Sequence, residues 1–135
     1  MNKTVVYLAG KMSGLTREEM TEWRIEAEDQ LNNAGMSVLD PTRTILCTNP
    51  SAREIVVNNK FQINHSNIVL AEIAFTGISL GTMSEIVYAG TKGKPVISWG
   101  KNEVHKYPWI SEHTVKHFIT LGEALEYIVE NYSIV

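Results

Sequence analysis

At 135 residues, 44% apolar and 20% charged, the chain fits one domain able to bury a core, and disorder is not expected. Its net charge of −3 argues against an electrostatic grip on a nucleic acid polymer, which needs clustered Lys and Arg, although a small anion can still be held locally. Cys47 is the only cysteine, which rules out an intramolecular disulfide and makes it a bystander thiol. No apolar run is long enough for a membrane span or for a signal-peptide core. A cytoplasmic protein with no membrane contact is expected.

Val5-Val6-Tyr7-Leu8-Ala9 is an apolar run without alternation, suited to a parallel strand buried on both faces, and Gly10-Lys11-Met12-Ser13-Gly14 ends it. From Thr16 to about Ala34, residues Met20, Trp23, Ala27, Leu31 and Ala34 keep helical spacing, and Gly35 supplies the stop. Met36 to Leu39 reads as a second strand, closed by Asp40-Pro41, and residues 41–50 read as a loop. Ser51 opens a helix to about His65, with Ile55, Val56 and Ile63 as core candidates. Asn67 to Ile73 is a third strand.

After a loop from Ala74 to Leu80, residues 82–92 form a helix, and Lys94 to Trp99 a fourth strand with Pro95 near its start. Residues 100–113 carry no readable period. Val115 to Thr120 suits an edge strand, and Leu121 to about Tyr132 a last helix. This alternation predicts an α/β fold, a flavodoxin-like doubly wound sheet of five parallel strands in the order 2-1-3-4-5 with helices on both faces. Ligands of such sheets bind beyond the carboxyl ends of the strands at the switch in winding, here between strands 1 and 3. The outgoing loops there are Gly10–Leu15 and Ala74–Gly81, which brings the glycine loop beside Glu85.

Two readings of Glu85 compete. Met83, Ile86, Val87 and Gly90 share a helical face, so Glu85 points away from it near a helix N-terminus, where a carboxylate anion is favoured and can act as a nucleophile. Thr82-Met83-Ser84-Glu85 is also a capping box, a pattern repeated at Thr16–Glu19 and Ser51–Glu54. The 10–14 loop is either a phosphate cradle, with Lys11 as a charged contact, or a plain turn. Its spacing is neither a Walker A sequence nor a dinucleotide fingerprint. Of the four histidines, His113 and His117 are four apart, but His117 falls in a strand, so no metal site is expected. Tyr7, near the end of strand 1, is either half-buried core or a ligand contact.

Tyr7-Leu8-Ala9-Gly10, Asn67-Ile68-Val69-Leu70-Ala71-Glu72, Ser79-Leu80-Gly81-Thr82-Met83-Ser84-Glu85 with Tyr88-Ala89, and Lys94-Pro95-Val96-Ile97 together resemble the nucleoside 2-deoxyribosyltransferase family. The likeness runs in order from residue 5 to about 99, and it implies a single such domain over residues 1–135. The resemblance implies that Glu85 is the nucleophile. It would attack the anomeric carbon, expel the base and form a glycosyl-enzyme, which a second base or water resolves.

Ser-Leu-Gly before the nucleophile resembles the branch that hydrolyses nucleoside 5′-monophosphates, whereas transferases acting on free nucleosides tend to have Asp at the position of Ser79. The resemblance therefore implies a 5′-phosphate held by Ser79, Gly10, Lys11, Ser13 and Gly14, beside Gly81. Tyr7 is expected to contact Glu85 or the sugar. The family's usual Asp at the start of strand 3 is Asn67 here, expected near sugar and base. Asn67 cannot deliver a proton, so Glu72 or Asp40 is the substitute, unless the leaving base needs little help or turnover is lost. Glu72 has a second reading as a strand-end residue facing solvent.

The partner is thus a small nucleotide or nucleoside, with no cofactor and no metal, in a homodimer or larger homo-oligomer whose neighbour completes the site, with residues 101–113 the place to look. Three functions remain open: N-glycosidic cleavage of a (deoxy)nucleoside 5′-monophosphate, base exchange on free deoxynucleosides, and nucleotide binding without turnover. A weaker fourth is cleavage at the ribosyl bond of NAD or a related signalling nucleotide.

Overall fold

The computed structural model describes residues 3–43, 49–75 and 79–133; Cys47 and Ile78 lie outside them. Strands β1 (Val5–Ala9), β2 (Ser37–Leu39), β3 (Ile68–Glu72), β4 (Val96–Trp99) and β5 (Lys116–Phe118) form one sheet in the order β2-β1-β3-β4-β5. Every pairing is parallel, with Tyr7 level with Leu39 on one side and Val69 on the other. This is the doubly wound order expected from the alternation of elements, and its winding reverses between β1 and β3.

Helices α1 (Arg17–Asn33) and α5 (Leu121–Tyr132) cover one face, and α2 (Ala52–Asn64), α3 (Leu80–Thr91) and the short α4 (Pro108–Ser111) cover the other. The strands supply both cores by simple alternation. Val6, Leu8, Ile68 and Leu70 pack toward Trp23, Ala27, Leu31 and Leu125. Tyr7, Ala9, Val69 and Ala71 pack toward Ile63, Ile86, Ala89 and Ile110. Residues of β1 and β3 that look continuously apolar in sequence are therefore divided between two layers, each Val, Leu or Ile side chain contributing about 1.5–3 kcal/mol of burial.

Capping boxes begin α1 at Thr16/Glu19, α2 at Ser51/Glu54 and α5 at Thr120/Glu123, each oxygen satisfying an otherwise orphaned donor. Two expectations fail here. Ile55 and Val56 of α2 are exposed and only Ile63 of that trio is core. The helix after β3 begins at Leu80, not residue 82, because Ser79 is its N-cap and accepts from the Thr82 amide at 3.1 Å. The stretch after Gly100 resolves into a 3-10 turn (Val104–Lys106) and α4.

That stretch is pinned by two stacked imidazoles, His105 and His117, whose centroids lie 3.9 Å apart. His117 bonds Gly100 O through Nε2 at 2.9 Å and Ser98 Oγ through Nδ1 at 2.8 Å. A carbonyl can only accept, so Nε2 carries the proton and Nδ1 accepts from the serine hydroxyl. Burial, reinforced by repulsion from His105 and opposed by the Gly100 carbonyl, lowers the pKa of His117. A depressed imidazole pKa contributes stability that is whole above about pH 6.5 and is lost as pH falls through the folded value. We expect Tm to fall between pH 7 and pH 5, and the fall to shrink in His117→Gln, as read by thermal melts across that range.

Candidate active site

The carboxyl ends of β1 and β3 and the first two turns of α3 converge at the winding switch. Tyr7, fully buried in β1, donates its hydroxyl to Glu85 Oε2 at 2.8 Å. Asn59 of α2 also hydrogen-bonds the Glu85 side chain. Burial pushes the Glu85 carboxyl from its ordinary 4.5 up to about 7, against the opposing pull of Tyr7, Arg24 and Asn59. The phenol, buried against that carboxyl, is driven upward and stays protonated. Glu85 opens into a cleft of about 220 Å³ lined by Ile55, Val56, Asn59, Lys60, Ile63, Gly81, Ser84 and Tyr88.

Glu85 is not a capping residue. The cap lies six residues earlier at Ser79, and Glu85 is held by side chains from β1 and α2 rather than by helix N–H groups. Nor does it point away from the buried face. Thr82, Ile86 and Ala89 form that face, and Glu85 sits three residues after the first and four before the last. The helix is thus rotated from the sequence expectation, and the rotation turns the carboxylate inward.

Asn67 is the larger correction. It lies at the amino end of β3, exposed, with Oδ1 accepting from Val5 N at 2.8 Å while its own amide donates to Val5 O at 2.7 Å. The parallel sheet sends its amino edge to the side opposite Tyr7 and Glu85, so Asn67 continues a ladder and cannot meet sugar or base there. The acid at the proper end of β3 is Glu72. It is 2% exposed, not solvent-facing, and accepts from Lys11 N at 3.3 Å and Phe75 N at 2.9 Å. Burial raises its pKa, while amides of Phe75, Lys11 and Ala74 and the charge of Arg24 oppose the rise.

The glycine loop takes its form from this packing. A Cβ on Gly10 would come within 2.9 Å of the Trp23 ring, 3.0 Å of Glu72 Oε1 and 3.2 Å of Arg24 Nη2, so only glycine fits. Gly14, at φ +80°, makes the turn that a side chain would strain. Lys11 gives its amide to Glu72, and Ser13 and Gly14 are exposed. Ser79 Oγ is shared between the Thr82 amide and the Thr82 hydroxyl. Gly81 follows in the first turn of α3. Asp40, beyond β2, is committed to the amide and hydroxyl of Thr42 and to ion pairs with Arg24 and Arg43.

Sequence reasoning passed over Arg24 and Asn59. Arg24 stands in the α1 core stripe with Ala27 and Leu31, and a guanidinium in an apolar stripe is the signal that was available. Asn59 carries the same kind of signal, a polar residue on the face that Ile55, Val56 and Ile63 share at i−4, i−3 and i+4. Among the described residues no three His, Cys, Asp or Glu gather as a metal site, and no helix is long and apolar enough to cross a membrane.

Solved structures share this architecture. A 2-deoxyribosyltransferase from Bacillus psychrosaccharolyticus superposes with a TM-score of 0.75 at 21% identity, covering 97% of this chain and 93% of its own. A 2-desoxiribosyltransferase from Leishmania mexicana gives 0.76 at 18% identity, with 96% and 99% covered. A CMP N-glycosidase from Clostridium botulinum gives 0.65 at 17% identity, with 93% and 98% covered. A search of curated proteins finds no match. The family model for nucleoside 2-deoxyribosyltransferases matches residues 6–131, nearly the whole chain and every strand described above. The chain belongs to the nucleoside 2-deoxyribosyltransferase family.

Proposed function

We propose that this protein breaks the N-glycosidic bond of a (deoxy)nucleoside 5′-monophosphate through a covalent glycosyl intermediate on Glu85. The observation that carries the reading is the carboxyl of Glu85, oriented by Tyr7 at 2.8 Å and by Asn59 at the floor of a cleft with apolar walls. Ionised, it attacks the anomeric carbon; the bond to the base breaks, and the electron pair leaves with the base. Tyr7 steadies the carboxylate and supplies no proton to the base, since its hydroxyl is spent on Glu85. Glu72 is the group whose burial favours holding a proton at the strand ends, and it serves as the acid in this reading.

The phosphate belongs at the junction of the 10–14 loop and the start of α3, where Lys11, Ser13, Gly14 and Ser79 border it. Uncharged Ser79 repels no phosphate there, as an aspartate would. Base exchange on free nucleosides is the second reading. It is favoured by one observation: Glu72 takes the Lys11 amide and places a carboxylate beneath the loop. The reading without turnover rested on Asn67 and loses its ground with that residue's position. A homodimer over the rim belongs to the proposal, because Val56, Tyr107 and Trp109 are more than half exposed around the two neighbouring clefts.

Incubation with a panel of deoxynucleotides and deoxynucleosides, following free base by chromatography, tests the assignment. Release from monophosphates in preference to nucleosides is expected; exchange without a phosphate requirement establishes the second reading, and no release from any substrate overturns both. Glu85→Gln should cut turnover by roughly 10³-fold or more.

The acid limb of kcat/KM should rise through about pH 7, because the nucleophile acts only when ionised. The same shift has a stability consequence. A carboxyl raised from 4.5 to about 7 gives stability that is whole below the lower value and lost as pH rises through the upper. Glu85→Gln should therefore melt higher than wild type at pH 8, with the gap closing toward pH 4. Asn67→Asp should change turnover by less than about twofold, being at the far edge of the sheet.

A further inference from the structure

Resting on the assignment of Glu85 as nucleophile, we propose that Arg24 is its positioning residue: a buried guanidinium, delivered from the helix on the opposite face of the sheet, that ties down the end of β1 and supplies the one buried positive charge for the carboxylates gathered there. The guanidinium is fully buried, and among the described residues no other cation is. Nη1 donates to Met20 O at 2.8 Å, and Nη2 reaches Gly10 O at 3.3 Å and Leu8 O at 3.5 Å. Nε has no hydrogen-bond acceptor among the described residues and lies 3.6 Å from Asp40 Oδ1. The Trp23 ring lies against it, 4.7 Å from Cζ to the ring centroid.

These contacts fix the two carbonyls that flank Ala9, directly downstream of Tyr7. The strand end that aims the phenol at Glu85 is therefore clamped by α1. Charge counting points the same way. Asp40 and Glu72 are buried and Glu85 is partly so, giving three carboxylates against one guanidinium. In a medium of low dielectric that cation weighs on the ionisation of Glu72 and Glu85. Its field reaches Tyr7, Glu72 and Glu85, and it favours the anionic form of each. The groups bearing on Glu85 are Tyr7 from β1, Arg24 from α1 and Asn59 from α2, and Lys60 of α2 lines the same cleft. Lys60 is exposed, so water screens its charge.

A leucine or methionine at position 24 would fill the same volume with less desolvation cost. What it cannot do is carry charge to a site whose nucleophile is otherwise pushed toward its neutral, unreactive form. Asp40 then has a clear part: its ion pair with Arg24 keeps the guanidinium from being an unpaired buried cation.

The test reads Glu85 directly. With ¹³C-labelled glutamate, the Glu85 carboxyl signal is assigned by its loss in Glu85→Gln and titrated by NMR in wild type, Arg24→Lys and Arg24→Gln. We expect the midpoint to rise by about one pH unit or more in Arg24→Gln and to stay near wild type in Arg24→Lys. Should the single neutral variant fail to fold, Arg24→Met/Asp40→Leu removes the pair together and leaves no uncompensated charge; the same rise is expected. An unshifted midpoint in a folded neutral variant overturns the proposal.

Where base release is measurable, the acid limb of kcat/KM should move with the titration. Absent base release with a shifted titration rejects the function and keeps the role of Arg24. Base release with an unshifted titration and an unshifted acid limb rejects that role and keeps the function.

Discussion

The hydrogen bond from Tyr7 to Glu85 joins the two elements between which the winding of the sheet reverses, and the rest of the site is arranged around it. β1 runs through the middle of the sheet with both faces covered, so the Tyr7 ring is core and only its hydroxyl has a polar task. α3 must then lie with Glu85 turned inward, which sets Thr82, Ile86 and Ala89 as its buried stripe. A partly buried carboxylate at that point costs folding free energy. The chain offsets the cost with three donors or charges drawn from three elements: Tyr7 on β1, Asn59 on α2 and Arg24 on α1.

Polar chemistry is confined to the carboxyl edge because the strands leave it nowhere else to go. Val6, Leu8, Ile68 and Leu70 serve one layer, and Ala9, Val69 and Ala71 the other. The first chain position at which β3 can present an acid is its last, Glu72, and the first at which β1 can bend is Gly10. Those two residues meet, and the absent Cβ of Gly10 is what lets Glu72, Trp23 and Arg24 close up beneath the loop. The glycine loop is a lid over a buried ionic cluster as much as a surface for a ligand.

Much of this was legible beforehand, and the omissions have physical causes. Uninterrupted apolar runs at 5–9 and 68–71 announce strands covered twice, and three-residue Ser/Thr-to-Glu spacings mark the starts of α1 and α2 with fidelity. The same spacing misled at Thr82–Glu85, because Ser79 had already capped α3 and Glu85 was drawn to Tyr7. Periodicity cannot separate a stripe of Met83 and Val87 from one of Thr82 and Ala89, which differ by a single position. Its place in a motif assigns Asn67 to the site, but the direction of a parallel strand puts the start of β3 at the opposite edge from its end. Arg24 was visible as a charge within a core stripe, yet nothing local says that its partners are carbonyls of β1 and a carboxylate beyond β2.

The edge-to-face contact between Trp23 and Trp99, with centroids 5.7 Å apart, carries a practical consequence. Both indoles belong to the core layer under α1, and Trp23 is the wall against which Gly10 rests, whereas Trp109 lies out on the surface. Two aromatic chromophores held at a fixed angle couple their excited states and give a near-ultraviolet circular dichroism signal that depends on their geometry. The protein therefore contains its own optical gauge beneath the glycine loop.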